Sequence, residues 1–116
     1  IATTRAALAK APDKVTAFIE AYLDGLDWVL DLANDAEART ILSSRMPQIK
    51  PKAMDAVMKS LTSPASGLTP HGAVLPKGMD QVIVLRSNYG RGAAPLESAS
   101  AFINLQIYQQ IMQSRS

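Results

Sequence analysis

The feature that most limits what this chain can fold into is an apolar stripe at helical spacing that begins just after Pro12. Val15, Phe18, Ile19, Tyr22, Leu26, Val29, Leu30 and Ala33 recur at three- and four-residue intervals. That is the period of one face of a helix, not of a strand. Pro12 suits a first helical turn, where its missing N–H leaves nothing unpaired. The spacing predicts a helix from about Asp13 to Ala33. Gly25 in its middle costs roughly 1 kcal/mol relative to Ala. Close approach of another backbone is the expected reason for it.

Proline punctuates the rest of the chain. Asn34 reads as an N-cap with Glu37 as its capping-box partner. This opens a second helix over about Asp35 to Arg45 that buries Ala38, Ile41 and Leu42, and Pro47 stops it. Pro51 opens a third helix with Ala53, Met54, Val57, Met58 and Leu61 on its apolar face. Ser63 to Leu75 is rich in turn formers but apolar at Leu68, Val74 and Leu75, so it reads as an ordered loop lying over the core. Pro76 starts a helix carrying Met79, Val82, Ile83, Leu85, Arg86 and Tyr89, closed by Gly90 as a C-terminal cap. A loop over Arg91 to Leu96 leads to a final helix over Ser98 to Gln113, with Phe102, Leu105, Tyr108, Ile111 and Met112 on its buried side. Ahead of all this, Ile1 to Thr4 is read as the end of a strand or a lead-in, and Arg5 to Lys10 as a short helical turn. The expected fold is mainly α: about five helices in a single region spanning residues 1–116, with room for one short N-terminal strand.

Composition supports a packed core. Of 116 residues, 47% are hydrophobic and 19% charged, which places the chain among ordered domains. The core should be aliphatic, since there are only one Trp and two Phe. The net charge of +2 steers weakly, so nucleic acid is not an expected partner. The absence of cysteine excludes disulfides, thiolate metal sites and cysteine nucleophiles. The longest apolar runs are too short to span a bilayer. Residues 1–12 hold Arg5 and Lys10 but no apolar core of an export signal, and the chain begins with Ile. A processed or truncated product is the expectation.

Several constellations invite a chemical reading. Glu20, Asp24, Asp27 and Asp31 fall at i, i+4, i+7 and i+11 of the first long helix. They suit a cation site or a docking face for a basic partner, or simply a solvated face. No acidic loop of metal-binding type accompanies them. His71 is the only histidine; it suits a general base, a ligand or an exposed turn residue. No serine or cysteine nucleophile with a nearby acid suggests a triad. Gly90-Arg91-Gly92 resembles a phosphate loop only superficially, because it lacks the lysine and follows a helix. Arg86 suits an anion contact, or a packed stem whose guanidinium caps carbonyls or pairs with an acid. Tyr22, Trp28, Tyr89 and Tyr108 suit either a ligand pocket or packing. The expectation is no catalytic residue, no metal and no cofactor, with the ligand-binding residues left unassigned.

Two segments carry a resemblance. Ala2-Thr3-Thr4-Arg5, leading through Ala11-Pro12-Asp13-Lys14-Val15-Thr16-Ala17-Phe18 to Ala21 and Trp28, resembles a passage in the nitrate/sulfonate/taurine-type substrate-binding proteins of ABC importers, a group that includes the thiamine-pyrimidine-precursor binders. More specifically, Gly67-Leu68-Thr69-Pro70-His71-Gly72, then Pro76-Lys77-Gly78-Met79, Val82, Leu85-Arg86 and Tyr89-Gly90 resemble a stretch of the same family. Pro95-Leu96 and the tail from Phe102 to Tyr108 fall where it places its closing helix. The resemblance implies a two-lobed α/β binding protein of type II that traps a small solute between its lobes for a membrane permease. The solute would be anionic or sulfonate-, nitrate- or pyrimidine-like. The location would be periplasmic, or extracytoplasmic and lipid-anchored in a Gram-positive cell. This chain would be the helical C-terminal region, with the N-terminal two thirds absent and most solute contacts upstream. Isolated, it would expose apolar surface and tend to dimerise. The competing expectation is a stand-alone helical interaction module whose acidic face docks a partner. An enzyme is the third reading, since no catalytic constellation is found.

Overall fold

Six α-helices carry the described residues, 1–90 and 96–115, in a computed structural model of the chain. They are α1 (Arg5–Lys10), α2 (Pro12–Leu30), α3 (Asp35–Arg45), α4 (Met54–Leu61), α5 (Pro76–Tyr89) and α6 (Gln106–Ser114), with short 3₁₀ turns at Leu32–Asn34, Pro51–Ala53, Pro70–Gly72 and Ala99–Phe102. The chain groups into two compact units, Ile1–Ala73 and Val74–Ser116. The mainly α expectation holds, and no strand forms among the described residues. Of the two readings of Ile1 to Thr4 the lead-in holds, and it ends in a helix cap: Thr4 is extended, and its Oγ1 accepts the Ala7 N–H at 3.0 Å. A hydroxyl placed there pairs an N–H the helix cannot pair itself, which starts α1 instead of extending a strand.

α2 ends earlier than its apolar stripe suggests. The Asp31 carboxylate accepts the Ala33 N–H at 2.9 Å, so the backbone leaves the helix after Leu30 and makes a 3₁₀ turn. Short polar side chains compete with the helix ladder in this way. Asn34 does not form the expected capping box; its amide Nδ2 donates to the Trp28 carbonyl at 2.9 Å and ties the turn back to the end of α2. α3 nevertheless spans its anticipated residues.

The core of the first unit is a cluster of Ala38, Met54 and Met58, with Trp28, Val29, Leu42, Ile49 and Leu61 packed against it. The buried face of α2 is turned by about one position from the expected stripe. Leu23 is only 2% exposed and Leu26 is buried, whereas Phe18 and Tyr22 stand 60% and 46% exposed. Ile19, Leu23, Leu26 and Leu30 also follow helical spacing, and the Pro70–Gly72 turn lands on their side. Ile41, expected to be buried on α3, is exposed. Arg39 clips α3 to the start of α4, its Nε on Asp35 at 2.6 Å and its Nη1 on Asp55 at 2.6 Å. These two hydrogen bonds, Asp35's first, raise the pKa of its guanidinium.

Gly25 has no close backbone neighbour. A Cβ built on it would meet nothing within 4 Å, so the expected reason for this glycine does not hold. Gly25→Ala should therefore stabilise the protein by about 1 kcal/mol, through helix propensity alone. A urea unfolding midpoint that stays put or falls would show that the α2 surface is covered there.

In the second unit, α5 has the expected bounds and α6 does not. The single helix anticipated over Ser98 to Gln113 is broken at Ile103, which is extended, and Asn104 accepts the Gln106 N–H at 3.0 Å to restart it. Ala99 and Ile111 are buried, Leu105, Tyr108 and Met112 half-buried, and Phe102 exposed. The Ala99–Phe102 turn packs on α5, and the Ser87 hydroxyl accepts the Leu96 N–H at 3.2 Å. Gly90 ends α5 with its N–H on the Arg86 carbonyl at 2.9 Å, but its backbone is extended (φ −74°) and not left-handed. The residue is small because the Arg86 carbonyl and guanidinium lie where its Cβ would be.

Candidate functional site

The first unit has an open groove of about 460 Å³ between the end of α2 and the chain that follows α4. Asp27, Leu30 and Asp31 form one wall, and Thr62, Pro64, Leu68, Pro70 and His71 the other. Local chemistry shapes both walls. The helix break at Asp31 brings its carboxylate to the rim. Across the groove, the Thr62 N–H and hydroxyl both donate to the Met58 carbonyl at 2.9 Å and end α4. The loop then closes on itself: Gly67 N–H donates to the Ser63 carbonyl at 2.8 Å and Leu68 N–H to the Leu61 carbonyl at 2.7 Å.

Pro70 opens the next turn, and two successive left-handed residues complete it, His71 at φ 56° and Gly72 at φ 60°. Such a pair reverses the chain within one step and is tolerated because Gly lacks a Cβ and His is among the side chains found there. A Cβ on Gly72 would lie 3.0 Å from Leu23 Cδ2 and 3.6 Å from Leu26 Cδ2. The turn is thus seated directly on the two buried leucines of α2. Seating it also brings His71 Nδ1 to 3.4 Å from Asp27 Oδ1. Both side chains remain substantially exposed, so their pairing is worth little and orients the ring more than it stabilises the fold.

The groove contains one hydroxyl, that of Thr62, and its proton is engaged by the Met58 carbonyl. No nucleophile faces the His71–Asp27 pair within this lining. What the arrangement suits is binding: four apolar side chains (Leu30, Pro64, Leu68 and Pro70) beside two carboxylates. That combination favours a cationic group on an apolar body and disfavours an anion.

The residues singled out from the sequence are only partly brought together. Asp27, Asp31 and His71 share this groove, while Asp24 and Glu20 lie one and two turns back on α2 and are exposed. The acidic row is thereby divided between a helix stop, a histidine contact and an exposed face. Among the described residues no group of three His, Asp or Glu side chains is arranged to hold a metal ion. Arg86 is exposed, with its guanidinium folded back over Gly90. Arg91 and Gly92 lie outside the described residues, as do the loop through Pro95 and its part in the resemblance. Trp28 packs against the core cluster of the first unit, Tyr22 and Tyr89 are exposed, and none of the four aromatics lines the groove.

Sequence reasoning did not name Leu23 or Arg39. Leu23 was legible as a member of a neighbouring helical row. For Arg39 only its i, i+4 partner Asp35 was legible; Asp55 lies sixteen residues away. No helix among the described residues is long and apolar enough to cross a membrane. The chain matches no known protein family, no curated protein and no solved structure.

Proposed function

We propose that this chain is the helical C-terminal region of a solute-binding component of an ABC import system, of the nitrate/sulfonate/taurine type, working outside the cytoplasm. Its role is to cover one lobe of a two-lobed binding protein, while the solute is held in a cleft built mainly by other residues. The permease is the partner of the whole protein, and catalysis has no place in this reading.

The observation that carries the proposal is the outer face of α2. Phe18 and Tyr22 are one turn apart on the longest helix, and they stand 60% and 46% exposed. Tyr22 borders the Pro70–Gly72 turn on one side, its Cε1 3.5 Å from where a Gly72 Cβ would stand, and its free side forms with Phe18 an apolar face that another body would cover. The motifs around Pro12 and from Gly67 to Gly90 support the same reading. The acidic groove is consistent with an anionic solute being held elsewhere.

Two measurements test it. The gene should encode, ahead of Ile1, a strand-rich stretch behind an export signal. The full gene product should rise by several degrees in melting temperature with one of nitrate, taurine, an alkanesulfonate or a pyrimidine. A start codon immediately before Ile1 would sink the proposal. The same panel should leave the isolated chain unmoved. A shift of the isolated chain with a lysine- or arginine-rich peptide instead would favour a docking module that uses the Asp27–Asp31 groove.

A further inference from the structure

The groove at the end of α2 combines two kinds of lining. Its apolar part is Leu30 and Leu68, both half-buried, with Pro64 and Pro70 exposed beside them. Its acidic part is Asp27 and Asp31, one helical turn apart and therefore on the same side of α2. His71 Nδ1 approaches Asp27 Oδ1 at 3.4 Å, and the Ala33 N–H donates to Asp31 Oδ1 at 2.9 Å. Neither contact cancels a charge while the histidine is neutral, so the lining carries two negative charges. Among the described residues no lysine or arginine lines it. Elsewhere in the same unit, two carboxylates share one cation: the Arg39 guanidinium reaches Asp35 and Asp55, 2.6 Å from each. In the groove the chain supplies two acids and a histidine in place of the arginine.

Size and wall chemistry select the kind of cation. From Asp27 to Asp31 a helix advances only about 6 Å, the span of one charged head. The volume, about 460 Å³, is that of a small-ligand site. A peptide main chain would need backbone partners, and the amides of the facing loop are engaged: the Leu68 N–H with the Leu61 carbonyl and the Gly67 N–H with the Ser63 carbonyl. A bare metal ion would leave the apolar lining unused, and it finds no third acidic or histidine ligand suitably placed among the described residues.

We infer that this groove is a binding site for a small organic cation, an ammonium or guanidinium carried on an apolar body. The head lies between Asp27 and Asp31, and the body lies against Leu30 and Leu68. The inference does not rest on the transport reading, which places its solute in a cleft built by other residues and gives that solute the opposite charge.

Titration of the nitrogen-15-labelled chain with 2-phenylethylammonium, followed by amide chemical shifts, tests it. The amides of Asp27, Leu30, Asp31 and Leu68 should shift saturably in the low millimolar range, since carboxylates partly open to water pair weakly. The neutral isostere 2-phenylethanol should bind about fivefold more weakly, and 3-phenylpropionate should not bind. Asp31→Asn keeps a side-chain oxygen for the Ala33 N–H, so the helix end is preserved. It should weaken 2-phenylethylammonium about threefold with the melting temperature unchanged. Four outcomes would each overturn the inference. One is no saturable shift up to about 20 mM. Another is equal binding of the alcohol or by the Asp31→Asn variant. A third is shifts confined to the exposed Glu20 and Asp24, which would mean screening of an acidic surface. The fourth is tighter binding of a peptide with one arginine among alanines, which would mean that the groove docks a protein.

Discussion

Leu23→Ala is expected to lower the stability of the first unit by about 3–4 kcal/mol, the range for deleting a fully buried leucine whose site cannot collapse. The site cannot collapse because of what sits on it. Leu23 is 2% exposed, and its Cδ2 lies 3.0 Å from where a Cβ on Gly72 would stand. The Pro70–Gly72 turn above it is built from a proline and two left-handed residues, so its backbone has little freedom to sink into a void. Phe18→Ala, on the exposed side of the same helix, should cost well under half as much. Urea unfolding of the two variants checks this. Equal losses would mean that Phe18 is covered, and that the buried face of α2 is the stripe anticipated from the sequence.

Gly67→Ala is the second large effect. A Cβ at this position would collide with the Leu61 carbonyl oxygen and lie 2.7 Å from both the nitrogen and the oxygen of Ser63. All three obstacles are backbone atoms. The Leu61 carbonyl cannot swing away without releasing the Leu68 N–H, which it holds at 2.7 Å. The Ser63 carbonyl likewise holds the Gly67 N–H at 2.8 Å. One methyl group therefore opens a hydrogen-bonded loop, and the expected cost is about 2–3 kcal/mol. Hydrogen exchange should show faster exchange of the Gly67 and Leu68 amides, while amides of α5 and α6 keep their rates. A variant as stable as the unaltered protein would show that the loop is not closed this way in solution. The contrast with Gly25→Ala, expected to stabilise, separates an open glycine in a helix from a crowded one in a closed loop.

Much of the local structure was legible in the sequence. Pro12, Pro51 and Pro76 each sit at the start of a helix or the 3₁₀ turn leading into one, because a missing N–H is harmless only where no partner is needed. The periods of α2, α3, α4 and α5 were readable from their apolar spacing. The misread helix ends and caps share a cause: short polar side chains took backbone partners that spacing does not reveal. Asp31 stopped α2, Asn34 turned back to Trp28, and Asn104 split the last helix in two. Each choice was between two local hydrogen bonds of similar strength, so neighbouring contacts decided it.

The candidate site was less legible. Asp27, Asp31 and His71 were each visible as residues of interest, but nothing in their spacing joined them. Asp27 and His71 are far apart in sequence and meet only because Gly72 seats the turn on Leu23 and Leu26.

The sequence by itself determined the class of fold, the places where helices begin and the lack of any thiol chemistry. These depend on backbone propensity, apolar period and residue type, all of which act within a few residues. The tertiary structure alone decided which of two adjacent rows on α2 is buried, which glycine is crowded, and which acids of one row meet the histidine. Those outcomes depend on where a distant turn lands, and a helix offers several rows of nearly equal apolar character for it to land on.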